Sequence, residues 1–341
     1  MTGDGDGDMT GDGDGDADGS GDGDGDGGDL EPPTVLATTP EVLEDGVEPD
    51  VTIVVTFSEA MDSQTVTANT ADDECTGAIQ VSNDDFATCV QMAAAPSSQN
   101  DIDFELTPLD PLVSVGTYDI RVLTDVTDGA GNAMADPFTT SDPFLVRYYH
   151  TIVLDGVNDF APEESFATAS FQHTGYVAWD LDYLYLGMTA FDLSVDEPNT
   201  WFVGYLGGMP GTNMGALYNT QQPMMPFDAR WHMGYRAADD FGGLAEWDGN
   251  MWVDSGVGPI PNSGDVAFSE DFVEMRIAWD DLDNPEEIAV HLGMLRDAPF
   301  NEASWAAVPS GSYNDGYDPD YSLYYFFDLT GSVVPVDHVP N

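Results

Sequence analysis

The sequence of 341 residues is long enough for two or three domains, and its 64 acidic residues against six basic ones give a formal net charge of −58. A surface this acidic repels nucleic acids and anionic membranes, because both are bound through clustered Lys and Arg side chains. No apolar stretch is long enough to cross a bilayer, so we expect neither a nucleic-acid partner nor membrane insertion.

Residues 1–30 are predicted to form a disordered acidic linker. The segment consists almost entirely of Gly and Asp, so it has little apolar surface to bury and its carboxylates repel one another. Alternating Asp residues also occur in EF-hand loops, but such a loop needs a Glu at its twelfth position. The first Glu of the chain is Glu31, which excludes that motif. We therefore expect a spacer, with weak and diffuse cation binding as the alternative.

Residues 31–148 are predicted to form an antiparallel β-sandwich. Residues 51–57 are mostly β-branched, and residues 103–106 and 118–122 alternate between apolar and polar side chains. Turn-forming residues separate these runs, as in the Gly-rich segment 128–132. Short strands at this spacing, with no helical periodicity, are typical of a two-sheet sandwich.

Residues 33–146 resemble the bacterial Ig-like domain of S-layer and other surface proteins. The sequence FSEAMD at 57–62 and the sequence DGAGN at 128–132 carry this resemblance. It implies a domain that acts as a spacer at the cell surface. Residues 72–100 are an insertion relative to the family.

That insertion contains both cysteines of the chain, Cys75 and Cys89. They would form a disulfide in an extracellular protein and remain two buried thiols in the cytosol. Met1 is followed directly by Gly-Asp repeats, without the pattern of a signal peptide. We expect an extracellular or cell-surface protein whose leader is missing from this sequence, and a disulfide between the two cysteines. The alternative is an intracellular protein.

Residues 149–332 are predicted to form a larger antiparallel β-sandwich, followed by a tail at 333–341. Four runs have the pattern of strands with one buried face, at 183–188, 272–279, 288–295 and 323–329. Residues 207–233 are rich in Gly, Pro and Met. This composition predicts a long loop, and loops of that length are commonly functional.

This larger segment resembles carbohydrate-binding module family 9 and the related DOMON-like sandwiches. Residues 154–159 match the opening turn of the family, and residues 177–186 match its WD-x-D-x-LYL strand. Residues 190–192 and 272–282 follow in the family's order, with Ala278 in place of a Pro. The resemblance implies a glycan-binding β-sandwich. The matching residues lie mostly at strand and turn positions, so the resemblance predicts the fold better than it predicts the ligand.

All seven tryptophans of the chain follow residue 178. Indole rings stack on the apolar faces of sugars, and Arg side chains donate hydrogen bonds to hydroxyl groups. The predicted ligand-binding residues are Trp231, Trp247, Trp252, Arg230 and Arg236. In the alternative interpretation the two hairpin tryptophans cap the sheet and the arginines neutralise neighbouring acids. Trp179 and Trp279 lie within the fold signature and are assigned to the core.

Asp155, Asn158 and Asp159 form a compact turn of oxygen donors, which could hold one structural Ca²⁺ ion. The alternative is a set of Asx turns, since Asp and Asn bond their own backbone. The five histidines lack metal-ligand spacing, and no motif of a hydrolase or a nucleotide-binding enzyme is present. We therefore expect no catalytic residues.

The sequence thus predicts a non-enzymatic, surface-anchored adhesin or glycan-binding protein, whose partner is a polysaccharide or surface glycan. One alternative is a structural surface-layer or matrix subunit that self-associates and is stabilised by calcium. A second alternative is a glycoside-active enzyme. Glycosidases use a pair of carboxylates, and in a chain with 64 acidic residues many such pairs are available, so the sequence does not exclude this activity.

Overall fold

The computed structural model describes residues 29–194, 199–257 and 264–341. This part of the chain is all-β, its strand ladders are antiparallel, and its helix is limited to three single-turn 3₁₀ segments at Pro162–Glu164, Trp279–Leu282 and Pro335–Asp337. None of these helices has the length and apolar character needed to cross a membrane. Of the predicted disordered linker, residues 1–28 lie outside the described residues.

The first domain contains seven strands. They are β1 (Val35–Thr39), β2 (Ile53–Phe57), β3 (Ile79–Ser82), β4 (Asp103–Leu106), β5 (Thr117–Val122), β6 (Phe138–Thr139) and β7 (Phe144–Leu145). One sheet has the order β1-β2-β4, and the other has the order β3-β5-β6 with β7 also paired to β5. The two sheets enclose one core. In β2 the side chains of Ile53, Val55 and Phe57 alternate into it, and the Phe57 ring meets Phe104 at 5.7 Å.

The described residues of the second domain form twelve strands. They are β8 (Ser165–Ala167), β9 (His173–Trp179), β10 (Tyr183–Ala190), β11 (Thr200–Met214), β12 (Met224–Arg236), β13 (Phe241–Trp247), β14 (Trp252–Asp254), β15 (Val266–Ser269), β16 (Phe272–Ala278), β17 (Glu287–Arg296), β18 (Ala303–Val308) and β19 (Tyr325–Asp328). A five-stranded sheet has the order β15-β16-β10-β9-β8. A seven-stranded sheet has the order β14-β13-β12-β11-β17-β18, with β19 beside β17.

The core of the second domain lies between these two sheets. Leu186 of the five-stranded sheet and Phe202 of the seven-stranded sheet are both fully buried in it. Trp179 and Trp279, which the sequence assigns to the core, are also buried there. The indole nitrogen of Trp279 donates a hydrogen bond to the Asp180 carbonyl at 2.9 Å, so its polar group is satisfied within the core.

The prediction of a loop at 207–233 is wrong, because most of this segment is strand. β11 continues to Met214 and β12 begins at Met224, so only the turn at 215–223 is left outside them. The pairing between the two strands shifts its register at three places between Leu206 and Met214. Gly and Pro are tolerated in strands at such irregularities, which is why their presence did not interrupt the strands here.

Residues 333–341, predicted to be a tail, pack against the second domain. Pro335 is buried, and the ring of His338 lies 5.1 Å from the ring of Phe327. The amide of Asn341 donates to the carbonyl of Tyr324 at 2.9 Å. The segment therefore extends the packed structure of this domain to the last residue of the sequence.

The two domains meet at two consecutive tyrosines. The ring of Tyr148 packs against Trp179 of the second domain at 4.7 Å, and its backbone amide donates to the carbonyl of Gly331. The next residue, Tyr149, donates its hydroxyl to the Leu112 carbonyl of the first domain at 2.7 Å. Tyr148 therefore belongs to the core of the second domain and Tyr149 packs against the core of the first, and the boundary between residues 148 and 149 stays a prediction.

Arg147 strengthens the same junction. Its guanidinium donates to Glu48 of the first domain at 2.6 Å and to the Leu329 carbonyl of the second domain at 2.6 Å. One side chain thus bonds to both domains. The connection between them is short and is itself part of the interface.

Cys75 and Cys89 are joined by a disulfide in the first domain. Cys89 is buried, Cys75 is half-buried, and the amide of Cys89 bonds to the Asp73 carbonyl at 2.8 Å. The disulfide closes the insertion that contains β3.

We expect reduction of this disulfide to destabilise the first domain by about 3 kcal/mol, the chain-entropy value for a loop of about fifteen residues. Alkylation and intact-mass measurement, with and without reductant, will establish the pairing, and calorimetry will give the change in stability. Tryptophan fluorescence is the internal control, because every tryptophan lies in the second domain. Two alkylated thiols in non-reduced, exported protein would contradict the pairing.

Candidate functional site

A row of aromatic and histidine side chains crosses the outer face of the seven-stranded sheet. In β11, Phe202 and Leu206 point into the core, so the alternate residue Tyr205 points outward. Tyr205 pairs directly with His232 on β12 and with His291 on β17. Residues opposite one another on antiparallel strands share a face. The ring of Tyr205 accordingly stacks on His232, with centroids 4.2 Å apart.

Loops cover both histidines, which are buried and uncharged. His232 donates from Nδ1 to the Gly204 carbonyl at 3.0 Å, and its Nε2 accepts the hydroxyl of Tyr218 at 2.8 Å. Desolvation lowers the pKa of His232 to about 4 and the pKa of His291 to about 3. The ring of His291 stacks on Tyr321 at 4.0 Å. At neutral pH this layer therefore contributes no positive charge to the face.

Beside this layer lies an open groove of about 330 Å³, which we call the glycine groove. Trp201 and Phe241 form one wall, and Trp252 forms the other. The floor is backbone from β12 and β13, where Gly234 pairs with Gly243 across the two strands and Gly242 precedes Gly243 along β13.

The missing side chains leave part of the sheet backbone accessible. A Cβ atom on Gly243 would meet no other atom within 4 Å, so a side chain there would extend into the groove. Gly234 is buried, and a Cβ atom on it would lie 2.6 Å from the hydroxyl oxygen of Tyr218. The accessible floor is therefore the half-buried pair Gly242 and Gly243, beside the Phe241 ring, which is 56% exposed.

The structure places only one of the predicted binding tryptophans in this groove. Trp252 lines it, and its indole nitrogen donates to the Met214 carbonyl at 3.0 Å. Trp247 is its cross-strand partner in the β13–β14 hairpin, with ring centroids 5.7 Å apart, and is half-buried. Trp201 and Phe241 were missed by sequence reasoning, because nothing in their local pattern distinguishes an outward ring from a core ring.

The prediction that Trp231 is an exposed binding ring is wrong. Trp231 is 3% exposed and belongs to the core between the sheets. It lies on β12 in alternation with Met233 and Tyr235, which also point inward. The outward positions of the same strand, His232 and Gly234, face the groove.

The two arginines are engaged by acids, as the alternative interpretation expected. Arg230 bonds to Glu246 at 2.7 Å and also pairs with Asp283. Arg236 bonds to Asp239 at 2.7 Å, and its guanidinium lies 4.6 Å from the centre of the Trp201 ring. Arg236 thus packs against the Trp201 ring, which is part of one wall of the groove.

A second cavity, of about 460 Å³, lies at another part of this domain. Phe227, Tyr324 and Phe326 contribute its aromatic side. Arg230 contributes a charge that is already bonded to acids and to the Met209 carbonyl at 2.7 Å. The edge of Trp231 forms part of its lining.

The predicted calcium turn bonds mainly to its own backbone. Asp155 accepts the amide of Val157 at 2.8 Å, and Asp159 accepts the amide of Val153 at 3.0 Å. Asn158 similarly accepts the amide at position 160. The contacts of Asp155 and Asn158 are Asx-type turns, and calcium binding at this turn stays a prediction.

Glu274 lies at the base of this turn and was not singled out from the sequence. It is fully buried, and its Oε1 accepts the amides of Asp155 and Gly156 at 2.8 and 2.7 Å. Burial is the main cause of its raised pKa. Its only sequence signal is the Glu of the family-9-like strand at 272–282.

Within the described residues, one group of three acids has ligand atoms within 4.8 Å of one another: Asp29, Glu59 and Asp128. Desolvation and the neighbouring carboxylate of Asp29 raise the pKa of Glu59. Asp128 is held by the amides of Ala130 and Asn132, each at 2.8 Å. Glu59 and Asp128 belong to the two motifs that carry the Ig-like resemblance. The group could hold a cation.

Comparison with known proteins identifies the first domain. Residues 29–144 match the family described as bacterial Ig-like domain, which confirms that part of the sequence-based resemblance. The match does not reach residues 149–332, whose resemblance to family 9 stays a prediction. No curated protein matches the sequence significantly.

Several solved structures share a distant likeness with the chain. The N-terminal part of the bacterial S-layer protein SbsC is 14% identical over 47% of this chain and 40% of that one, with a TM-score of 0.25. A longer SbsC structure is 12% identical over 77% and 39%, with a TM-score of 0.25. Native alpha-2-macroglobulin from Escherichia coli is 12% identical over 77% and 66%, with a TM-score of 0.24. The chain thus spans less than half the length of the SbsC structures it matches.

Proposed function

We propose that this chain is a non-enzymatic surface protein whose second domain binds a neutral glycan in the glycine groove. The observation that carries the proposal is the half-buried glycine floor at Gly242 and Gly243, between the exposed ring of Phe241 and the ring of Trp252. A pyranose ring is flat and has apolar faces, so it can lie on such a floor and pack against aromatic walls. The net charge of −58 disfavours sulfated, sialylated and other anionic glycans.

The first domain has the role of a spacer in this proposal. Its match to the bacterial Ig-like family supports a position at the cell surface. The disulfide between Cys75 and Cys89 fits the oxidising conditions outside the cytoplasm. The acidic N-terminal segment would then connect this spacer to its anchor.

The test is a glycan array and a polysaccharide pull-down with the full chain. We expect Trp252→Ala and Phe241→Ala to weaken binding about ten- to hundredfold, the effect of losing one stacked ring. Trp247→Ala should weaken binding less, because its ring supports Trp252 and does not line the groove.

Phe326→Ala is the matched control, because it removes a partly exposed ring from the second cavity and leaves the groove intact. Loss of binding in this variant alone would assign the glycan to the second cavity. Release of reducing sugar during the incubation would instead identify a glycoside-active enzyme.

The second candidate is a surface-layer or matrix subunit that self-associates in the presence of calcium. The group of Asp29, Glu59 and Asp128 favours it, because a divalent cation would relieve the repulsion between the three carboxylates. Size-exclusion chromatography with calcium and with a chelator tests this candidate. A calcium-dependent oligomer that fails to form in Glu59→Gln would support it, and a monomer under both conditions would reject it.

A further inference from the structure

Phe300 has an unusual backbone and no packing of its own. The amide of Asn301 donates to the Ala298 carbonyl at 2.9 Å, which closes a turn with Pro299 and Phe300 at its centre. Phe300 has a φ of 63°, the left-handed conformation that favours Gly or Asn at this turn position. Its side chain is 103% exposed. Residues held in sparsely populated backbone conformations cluster at functional sites, so we treat this exposed ring as a candidate for ligand contact.

The ring borders a cavity of about 290 Å³, which we call the Phe300 cradle. Tyr317, 60% exposed, provides a second aromatic side. Glu302 also lines the cavity, and its Oε1 accepts hydrogen bonds from the side chains of Asn219 and Thr220 at 2.7 and 2.6 Å. The Tyr317 hydroxyl lies 3.0 Å from the Thr220 hydroxyl. The cradle therefore combines two accessible rings with a fixed network of a carboxylate, an amide and hydroxyl groups.

This combination matches the chemistry of a neutral sugar. Both hydrogen bonds to Glu302 end on Oε1, so within the described residues Oε2 is left to accept a hydroxyl group from a ligand. The lining contains no Arg, which disfavours an anionic ligand. An apolar protein partner would bury the Glu302 carboxylate without a compensating hydrogen bond, and that is unfavourable.

The cradle and the glycine groove share one turn. The amides of Tyr218 and Gln221 each donate to the other residue's carbonyl, at 2.9 and 2.7 Å, so Asn219 and Thr220 form the tip. Tyr218 lines the groove, whereas Asn219 and Thr220 line the cradle. We propose that the cradle is a second subsite for an extended neutral oligosaccharide whose first subsite is the glycine groove. This inference rests on the proposed function of the groove.

Phe300→Gly is the informative variant. Gly adopts a φ of 63° without steric conflict, and the Phe300 ring is not packed. We therefore expect the thermal midpoint of Phe300→Gly to equal or slightly exceed that of the wild type. Binding of a hexasaccharide should weaken about tenfold, and binding of the corresponding disaccharide should not change. Phe300→Trp retains an aromatic ring and should retain hexasaccharide binding.

The experiment is affinity electrophoresis of the full chain through gels that contain laminarin, xyloglucan or galactomannan. The di- and hexasaccharide of the retarding polymer are then titrated by calorimetry. Both sites are supported if a gel retards the wild-type protein, does not retard Trp252→Ala and retards Phe300→Gly less than the wild type. If Phe300→Gly migrates like the wild type while Trp252→Ala is not retarded, the cradle is overturned and the groove stands.

The remaining outcomes are also decisive. Wild-type protein that no gel retards overturns the proposed function and the cradle together. Reduced retardation in Phe300→Gly, with Trp252→Ala unaffected, overturns the groove and with it the proposal of two connected subsites. A change of oligomeric state in Phe300→Gly, measured by light scattering, would show that the ring packs against a second copy, which overturns the sugar subsite.

Discussion

Acidification from pH 6.5 to about pH 4 will destabilise the second domain, because unfolding allows its buried histidines to bind protons. The pKa of His232 falls from 6.5 to about 4 on folding, and that of His291 falls to about 3. In this window the unfolded chain binds more protons, so stability is fully present above pH 6.5 and is lost as pH falls. The shift for His232 corresponds to about 3 kcal/mol, and His291 adds a comparable amount.

Two other histidines have the opposite effect on stability, because they destabilise the domain when the pH rises. The hydrogen bond to Glu164 raises the pKa of His150, against the effect of burial. For His173, burial is outweighed by the hydrogen bonds to Asp192 and the Phe171 carbonyl, so its pKa is also raised. Their contribution is fully present below pH 6.5 and is lost as pH rises through the raised pKa values. The second domain should therefore be most stable near pH 6.5.

Urea unfolding followed by tryptophan fluorescence measures this effect, because all seven tryptophans lie in the second domain. High salt in every sample screens the repulsion between carboxylates. His291→Gln should remove part of the acid sensitivity. The first domain contains no histidine, so its calorimetric transition serves as the control within the same chain. A constant urea midpoint for the second domain between pH 6.5 and pH 4 would contradict the prediction.

Trp179→Ala should unfold the second domain at moderate temperature, whereas Trp252→Ala should not. Trp179 is fully buried, and its ring lies 4.7 Å from Tyr148 and 5.4 Å from Phe327. Removing a buried Trp costs about 3–5 kcal/mol, and the same loss is expected for Trp231→Ala. Trp252 is half-buried, so its truncation should lower the thermal midpoint only slightly.

Circular dichroism melts and polysaccharide retention, measured on the same samples, separate the two roles. Trp252→Ala should lose binding and keep its transition, and Trp179→Ala should lose its transition. Equal destabilisation by both substitutions would mean that Trp252 belongs to the core, and the proposed wall of the groove would be wrong.

Local pattern predicted much of the fold, because a strand with one buried face leaves a period of two in the sequence. The prediction at 103–106 agrees with β4, and the runs at 183–188 and 272–279 correspond to β10 and β16. The error at 207–233 arose because Gly and Pro weaken a strand locally, while pairing to β12 continued β11 to Met214.

The candidate binding residues were harder to predict, because strand register and long-range packing decide whether a ring points into the core or outward. Trp231 and Trp252 look alike in sequence, yet the register of β12 turns the first ring inward. The partners of Arg230 could not be selected among 64 acidic residues without coordinates. The only sequence feature that distinguishes Phe300 is the Pro-Phe pair in its turn. The exposure of its side chain in the structure made it a candidate binding residue.

The junction at Tyr148 and Tyr149 has a mechanical consequence. Adjacent residues are anchored in different domains, and Arg147 bonds to both. If the second domain binds a glycan as proposed, a pulling force on that glycan would pass directly into the Ig-like domain through this junction. Under such a force the two folded domains would move together as one rigid unit.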